Sequence, residues 1–252
     1  MGTIRVENLS KSYGDVQAID DVSFSVDDGE FVILLGTSGA GKSTLLRCLN
    51  GLTSPTDGRI TIDGEEVVGQ RNDVAMVFQQ HNIIEQMSAY SNALSGSLNR
   101  TGFLRSLFQW NDHEDKLEAL RALETVGLLE ESGQRADSMS GGQQQRVGIA
   151  RALVQQPTTL LADEPVASLD PASAETVMGY LRTAADERDI TTVASLHQVN
   201  IAREFGDRFI GLKEGEKVFD GDLDDLTIDA VDRIYGKETS ITRENDSEEA
   251  VA

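Results

Sequence analysis

The stretch that most constrains this chain is a five-residue apolar run, Phe31-Val32-Ile33-Leu34-Leu35, that passes directly into Gly36-Thr37-Ser38-Gly39-Ala40-Gly41-Lys42-Ser43-Thr44. An unbroken β-branched and apolar run suits a strand buried on both faces of a parallel sheet. The segment after it fits G-x4-G-K-[ST], and the residues from Thr44 to Leu49 carry helical patterning. Strand, glycine-rich turn and helix, in that order, are the context a phosphate-binding loop requires. Glycines let backbone N–H groups curl round phosphate oxygens, and the helix start adds free N–H groups and a positive dipole end. Lys42 is then placed to bridge β- and γ-phosphates, and the Ser43 hydroxyl to ligate Mg²⁺.

The remaining pattern predicts a mixed core around that strand. Alternation at Ile4-Arg5-Val6-Glu7 and at Val22-Ser23-Phe24-Ser25-Val26 reads as strands, the second closed by the turn Asp27-Asp28-Gly29. Arg59-Ile60-Thr61-Ile62, between Asp57-Gly58 and Asp63-Gly64, reads as a short strand in a hairpin. Apolar residues at Leu117, Leu120, Leu123 and Val126 predict a helix over 114–130, and a second helix runs from about 140 to 154. Leu160-Leu161-Ala162 reads as a buried strand, 172–186 as a helix, Thr191–Ser195 as a further strand, and a closing hairpin turns about Glu214-Gly215. The expected fold is α/β: one domain over 1–236 with a mixed β core, antiparallel N-terminal strands and a helical subdomain near 80–157. The acidic, Ser/Thr-rich tail 237–252 is expected to stay disordered.

Charge narrows the partners. The chain carries 43 acidic against 22 basic residues, a net −21, and only −4 of this lies in residues 238–252. An acidic folded surface repels phosphate backbones, which argues against nucleic-acid binding. With only six lysines, the surface resembles those of salt-loving organisms, where high salt screens self-repulsion. The longest uncharged run, 86–99, is 14 residues and largely polar, short of the roughly 17–25 apolar residues of a spanning helix. No apolar run follows a basic start at the N-terminus, so no secretory signal is expected. The one cysteine, Cys48, falls on the helix after the loop and is expected in the core.

Two further motifs carry chemistry. Asp163-Glu164 follows Leu160-Leu161-Ala162, and acids at the C-terminal end of a parallel strand lie where α/β sheets bind ligands. Asp163 is a candidate to hold Mg²⁺, and Glu164 to polarise an attacking water. Met139-Ser140-Gly141-Gly142-Gln143 combines a good N-cap with two glycines that open a helix start to a ligand. It is a second anion-binding helix end in one chain.

Tyr13, the phosphate loop, Phe78-Gln79, Met139–Gln143, Leu161-Ala162-Asp163-Glu164-Pro165, Ser168-Leu169-Asp170 and His197 occur in the order of an ATP-binding-cassette (ABC) ATPase, which the chain resembles over about 4–235. The resemblance implies ATP hydrolysis with Mg²⁺. It also implies a head-to-tail homodimer in the ATP state, in which the Ser140 helix of one cassette caps the γ-phosphate held by the other. By position, Tyr13 would stack on adenine, and Gln79 would touch Mg²⁺ and the attacking water and sense the membrane partner. Ser140, Gly141, Gly142 and Gln143 would contact ATP in trans. Asp170 would organise the dimer interface, and also suits the N-cap before Pro171. His197 would bond the γ-phosphate and orient Glu164. Met139 stands where the family usually has Leu, a mild change. His81 and His113 fit no motif.

Only 98 positions separate Lys42 from Ser140, which leaves no room for the long coiled coil of chromosome-maintenance relatives. Translation-factor relatives carry two cassettes, and many exporters fuse a membrane domain. What remains is a separate motor subunit beneath integral-membrane permease subunits, peripheral on the cytoplasmic face, served indirectly by an extracytoplasmic solute-binding protein. Phe78–Ile84, Arg135-Ala136-Asp137, Glu164–Pro171, Leu196–Val199 and the ending Ile234-Tyr235-Gly236 look like the phosphonate-import subunits. Polar amino-acid importers share several of these, and a soluble regulator or assembly ATPase is the rival class. The locally basic, aromatic segment 98–110 suits docking of a permease helix or, equally, a folded-back insertion.

Overall fold

The computed structural model describes residues 2–79, 83–99 and 113–236. The segment 100–112 and the acidic tail, on which the docking and disorder expectations fall, lie outside the described residues. So do Gln80, His81 and Asn82.

Two sheets are built. β1 (Ile4–Tyr13), β2 (Val16–Val26), β4 (Asp57–Ile62) and the two-residue β5 (Glu65–Glu66) form an antiparallel sheet in the order β2-β1-β4-β5. The second sheet takes β3 (Phe31–Leu35), β6 (Val74–Val77), β7 (Thr159–Asp163), β8 (Thr191–Leu196), β9 (Arg208–Lys213) and β10 (Glu216–Gly221), in the order β10-β9-β3-β8-β7-β6. All its pairings are parallel except the closing hairpin of β9 with β10. The helices are α1 (Lys42–Leu49), α2 (Ala89–Leu94), α3 (His113–Thr125), α4 (Gly141–Val154), α5 (Pro171–Arg188), α6 (Val199–Phe205) and α7 (Ile228–Tyr235).

The unbroken apolar run of β3 has a direct cause, because the strand sits between two cores. Phe31, Ile33 and Leu35 face a cluster shared with α2–α7. Val32 and Leu34 face a second cluster made with α1 and the antiparallel sheet. Every β3 side chain is therefore at most 1% exposed. β7 and β8 divide in the same way: Leu160, Ala162 and Ala194 serve the first cluster, Leu161 and Val193 the second. Burial at about 25 cal/mol per Å² of apolar surface makes these two layers the main source of stability.

The helix expected over 114–130 stops at Thr125, five residues early. Gly127, at φ +64, takes the left-handed turn that a helix cannot continue through, and buried Val126 and Leu128 extend the apolar pattern into that turn. Its buried face also differs from the leucine spacing: Leu117 is 40% exposed, while Glu118, Ala119, Ala122 and Leu123 point inward. Glu118 is tolerated there because the Arg188 guanidinium, at the end of α5, donates to it at 2.5 Å. No described helix is long and apolar enough to cross a membrane.

Candidate active site

β3, β8, β7 and β6 are consecutive neighbours in the parallel part of the sheet, so their C-terminal ends lie along one edge. Each end carries a residue singled out above. The phosphate loop follows β3, His197 follows β8, Asp163 ends β7 with Glu164 next, and Gln79 lies two residues beyond β6. Register brings them level: Leu35 pairs with Leu196, and Asp163 with Ser195.

The loop is tightly fitted. Gly41 caps α1 at φ +104, and a Cβ there would come within 2.5 Å of the Ala18 carbonyl, so only glycine fits. Thr37, Ser38 and Gly39 are exposed, whereas Gly36 and Ala40 are buried. Lys42 is only 4% exposed, and its ammonium donates to the carbonyls of Gly36 (2.8 Å) and Thr37 (3.1 Å). Burial pushes the Lys42 pKa below its ordinary value, and the nearby Glu164 and Asp163 carboxylates oppose that shift. Lys42 Nζ lies 3.8 Å from Glu164 Oε1. Thr44, in the first turn of α1, is half-buried.

The Ser43 hydroxyl donates to Asp163 Oδ1 at 2.7 Å. Asp163 is nearly buried and receives a second hydrogen bond, from Ser195 Oγ at 3.2 Å. Ser195 Oγ also accepts from the Glu164 backbone N–H at 2.9 Å. One buried hydroxyl thus ties the two acids together. Nothing in the motif pattern marks Ser195, which reads only as the last residue of an expected strand. Glu164 sits at φ +48, a left-handed conformation that costs a non-glycine residue on the order of 1–2 kcal/mol. His197 Nε2 is hydrogen-bonded to Glu164 Oε1, and Nδ1 lies 3.2 Å from the Gly36 carbonyl. Both of those partners are acceptors, while the Lys42 ammonium, a donor, also lies 3.5 Å from Nδ1.

The other candidates lie apart from this cluster. Gln79 is exposed. Tyr13, at the tip of the β1–β2 hairpin, is 48% exposed, with the Lys11 ammonium 4.9 Å from its ring centre. Asp170 caps α5, accepting from the Ser173 N–H at 3.1 Å, and the hydrogen bonds from Ser173 hold its carboxyl below the usual range. Ser140 forms a full capping box with Gln143: Ser140 Oγ accepts from Gln143 N–H (3.3 Å) and Gln143 Oε1 from Ser140 N–H (2.9 Å). Gly141 and Gly142 open α4, and a Cβ would meet nothing nearer than 3.5 Å at the first or 3.7 Å at the second. The chain's own packing therefore does not demand glycine at either position.

The model of the ABC transporter family matches residues 19–167. A phosphonates import ATP-binding protein of Halobacterium salinarum is 69% identical over 251 residues, 99% of this chain and 90% of that protein. A protein of the same description from Haloquadratum walsbyi is 61% identical over 236 residues, 94% of this chain and 84% of that one. The chain is also similar to a solved ATP-binding cassette in a dimeric post-hydrolysis state bound to ADP and Pi. The TM-score is 0.75 and the identity 33%, over 87% of this chain and 98% of that one. The chain belongs to the ABC transporter family.

Proposed function

We propose that this protein is the ATP-hydrolysing motor subunit of a phosphonate importer. The observation that carries the catalytic half is the meeting of Lys42, the Ser43–Asp163 pair and the Glu164–His197 pair at one sheet edge. The names of the relatives support the transported class.

In this reading Lys42 exchanges its two loop carbonyls for β- and γ-phosphate oxygens. Ser43, Asp163 and Gln79 offer only oxygen donors, which fit Mg²⁺, and the Ser43–Asp163 contact shows two of them already converged. Held by these residues, Mg²⁺ would supply neutralisation of phosphate charge. Glu164 takes the proton of the attacking water, and His197 holds that carboxylate in place and reaches the γ-phosphate. Tyr13 stacks on adenine. Ser140, Gly141, Gly142 and Gln143 of the partner subunit close over the phosphates, and Asp170 borders that interface. Gly141 is exposed and Gly142 half-buried, and the chain's own packing demands glycine at neither, which favours contact with something outside the chain. A single cassette unit over 1–236, with α2–α4 as its helical part, sits on the cytoplasmic membrane face beneath permease subunits. A solute-binding protein delivers cargo on the far side.

Two experiments test this. Glu164→Gln keeps shape and removes the base, so it should bind ATP, trap a closed dimer and lower turnover by roughly 10²–10⁴-fold. A parental hydrolysis rate would show that Glu164 is not the base. Cells lacking the protein should fail to grow on a phosphonate as sole phosphorus source. Normal growth there, with a defect in amino-acid uptake instead, would reject the transported class.

A further inference from the structure

The ending Ile234-Tyr235-Gly236 has no part in the chemistry above, yet the structure brings it to the site. α7 docks by fully burying Ala230 and Ile234. It ends with the Tyr235 hydroxyl donating to the backbone carbonyl of His197 at 3.2 Å. The other end of α7 is also tied to this region: the Arg203 guanidinium of α6 donates to the Leu226 carbonyl at 3.0 Å. α6 begins directly after Gln198, which caps it without a side-chain hydrogen bond. The short link from β8 to α6, which carries His197, is therefore braced from outside by a phenol rather than by its own cap.

We propose that Tyr235 is a positioning residue that fixes the His197 backbone, and through it the contact of the imidazole with Glu164. The inference rests on the reading of Glu164 and His197 as hydrolytic residues. His197 must hold Glu164 on one side and the Gly36 carbonyl on the other, and both contacts depend on where the end of β8 delivers its Cα. A side-chain network of this kind turns small displacements at one member into loss of alignment at another. Tyr235 itself touches no reacting group, so its removal should alter the rate and not nucleotide binding.

The test is Tyr235→Phe in the full chain, which keeps the half-buried ring packed against the first cluster and removes only the hydroxyl. A net hydrogen bond corresponds to a lowering of kcat by roughly three- to ten-fold, at unchanged KM for ATP and with little change in Tm. An independent readout is the imidazole NMR signals of the three histidines, His81, His113 and His197, assigned by single His→Gln variants. Only the His197 signal should move in Tyr235→Phe. If it stays in place, or all three move together, the positioning role is refuted whatever the rate does. If it moves and kcat does not fall, Tyr235 has no part in hydrolysis and the proposal is again refuted. The underlying reading is judged separately by His197→Ala, whose parental kcat would remove the role of His197 and the proposal with it.

Discussion

Ser195→Ala probes the hydroxyl that links the two acids. The side chain is fully buried and makes two hydrogen bonds, one to each neighbour. Removing it leaves the Glu164 N–H without an acceptor where water has little access, which costs about 1–3 kcal/mol. Asp163 keeps the Ser43 hydroxyl, so its share of the loss is smaller. Glu164 is also held at φ +48 partly by this bond, so part of the strain can relax by moving the acid away from His197. The net expectation is a loss of about 2 kcal/mol, or roughly 4–8 °C in Tm for a chain of this size. Far-UV circular dichroism of the nucleotide-free protein in molar KCl measures it, and ATPase assays should show kcat falling more than KM rises. A Tm indistinguishable from the parent would mean that the buried N–H finds another acceptor and that Ser195 does not set the position of Glu164.

Gly142→Ala should fold as well as the parent, since the added methyl meets nothing nearer than 3.7 Å and alanine favours a helix by nearly 1 kcal/mol. ATP-driven dimerisation, followed by light scattering in the Glu164→Gln background, should be lost; an intact dimer would remove Gly142 from the interface. Stability should rise steeply from low to molar salt as the −21 charge is screened, and a flat or falling Tm in KCl would refute an adaptation to salt. Arg71 hydrogen-bonds Asp73 and holds its carboxyl below the ordinary value. A depressed folded pKa contributes stability that is present above the unfolded value near 4 and lost as pH falls through the folded one. The stability difference between parent and Asp73→Asn in urea titrations should therefore shrink below pH 4, and a constant difference would show that the ion pair is not its source.

β3 and β7 were legible because burial on both faces leaves a continuous apolar run, FVILL in one and Leu160-Leu161-Ala162 in the other, whereas β8 (TTVASL) was legible from its β-branched residues. β6 has the same burial but only four residues, Val74–Val77, too few for the pattern to stand out. α6 is seven residues long and α7 eight, shorter than a reliable helical period, and each is set by packing onto the first cluster. The inward face of α3 was misread because leucines suggested it, while an ion pair with Arg188 places Glu118 inside. At the site, motif chemistry singles out Lys42, Ser43, Asp163 and Glu164, and the family resemblance adds His197; the structure brings the five together at one sheet edge. Ser195 and Tyr235 were not, since their contacts join β8 to β7 and α7 to the link after β8, across 31 and 38 positions of sequence.

The grip of the phosphate loop on its own lysine bears on the proposed capture of nucleotide. Because Lys42 is already bonded to two carbonyls of that loop, binding by the proposed route is an exchange of partners and not the capture of a bare cation. The driving force for capture is then the difference between two well-satisfied states, which is smaller than either interaction alone.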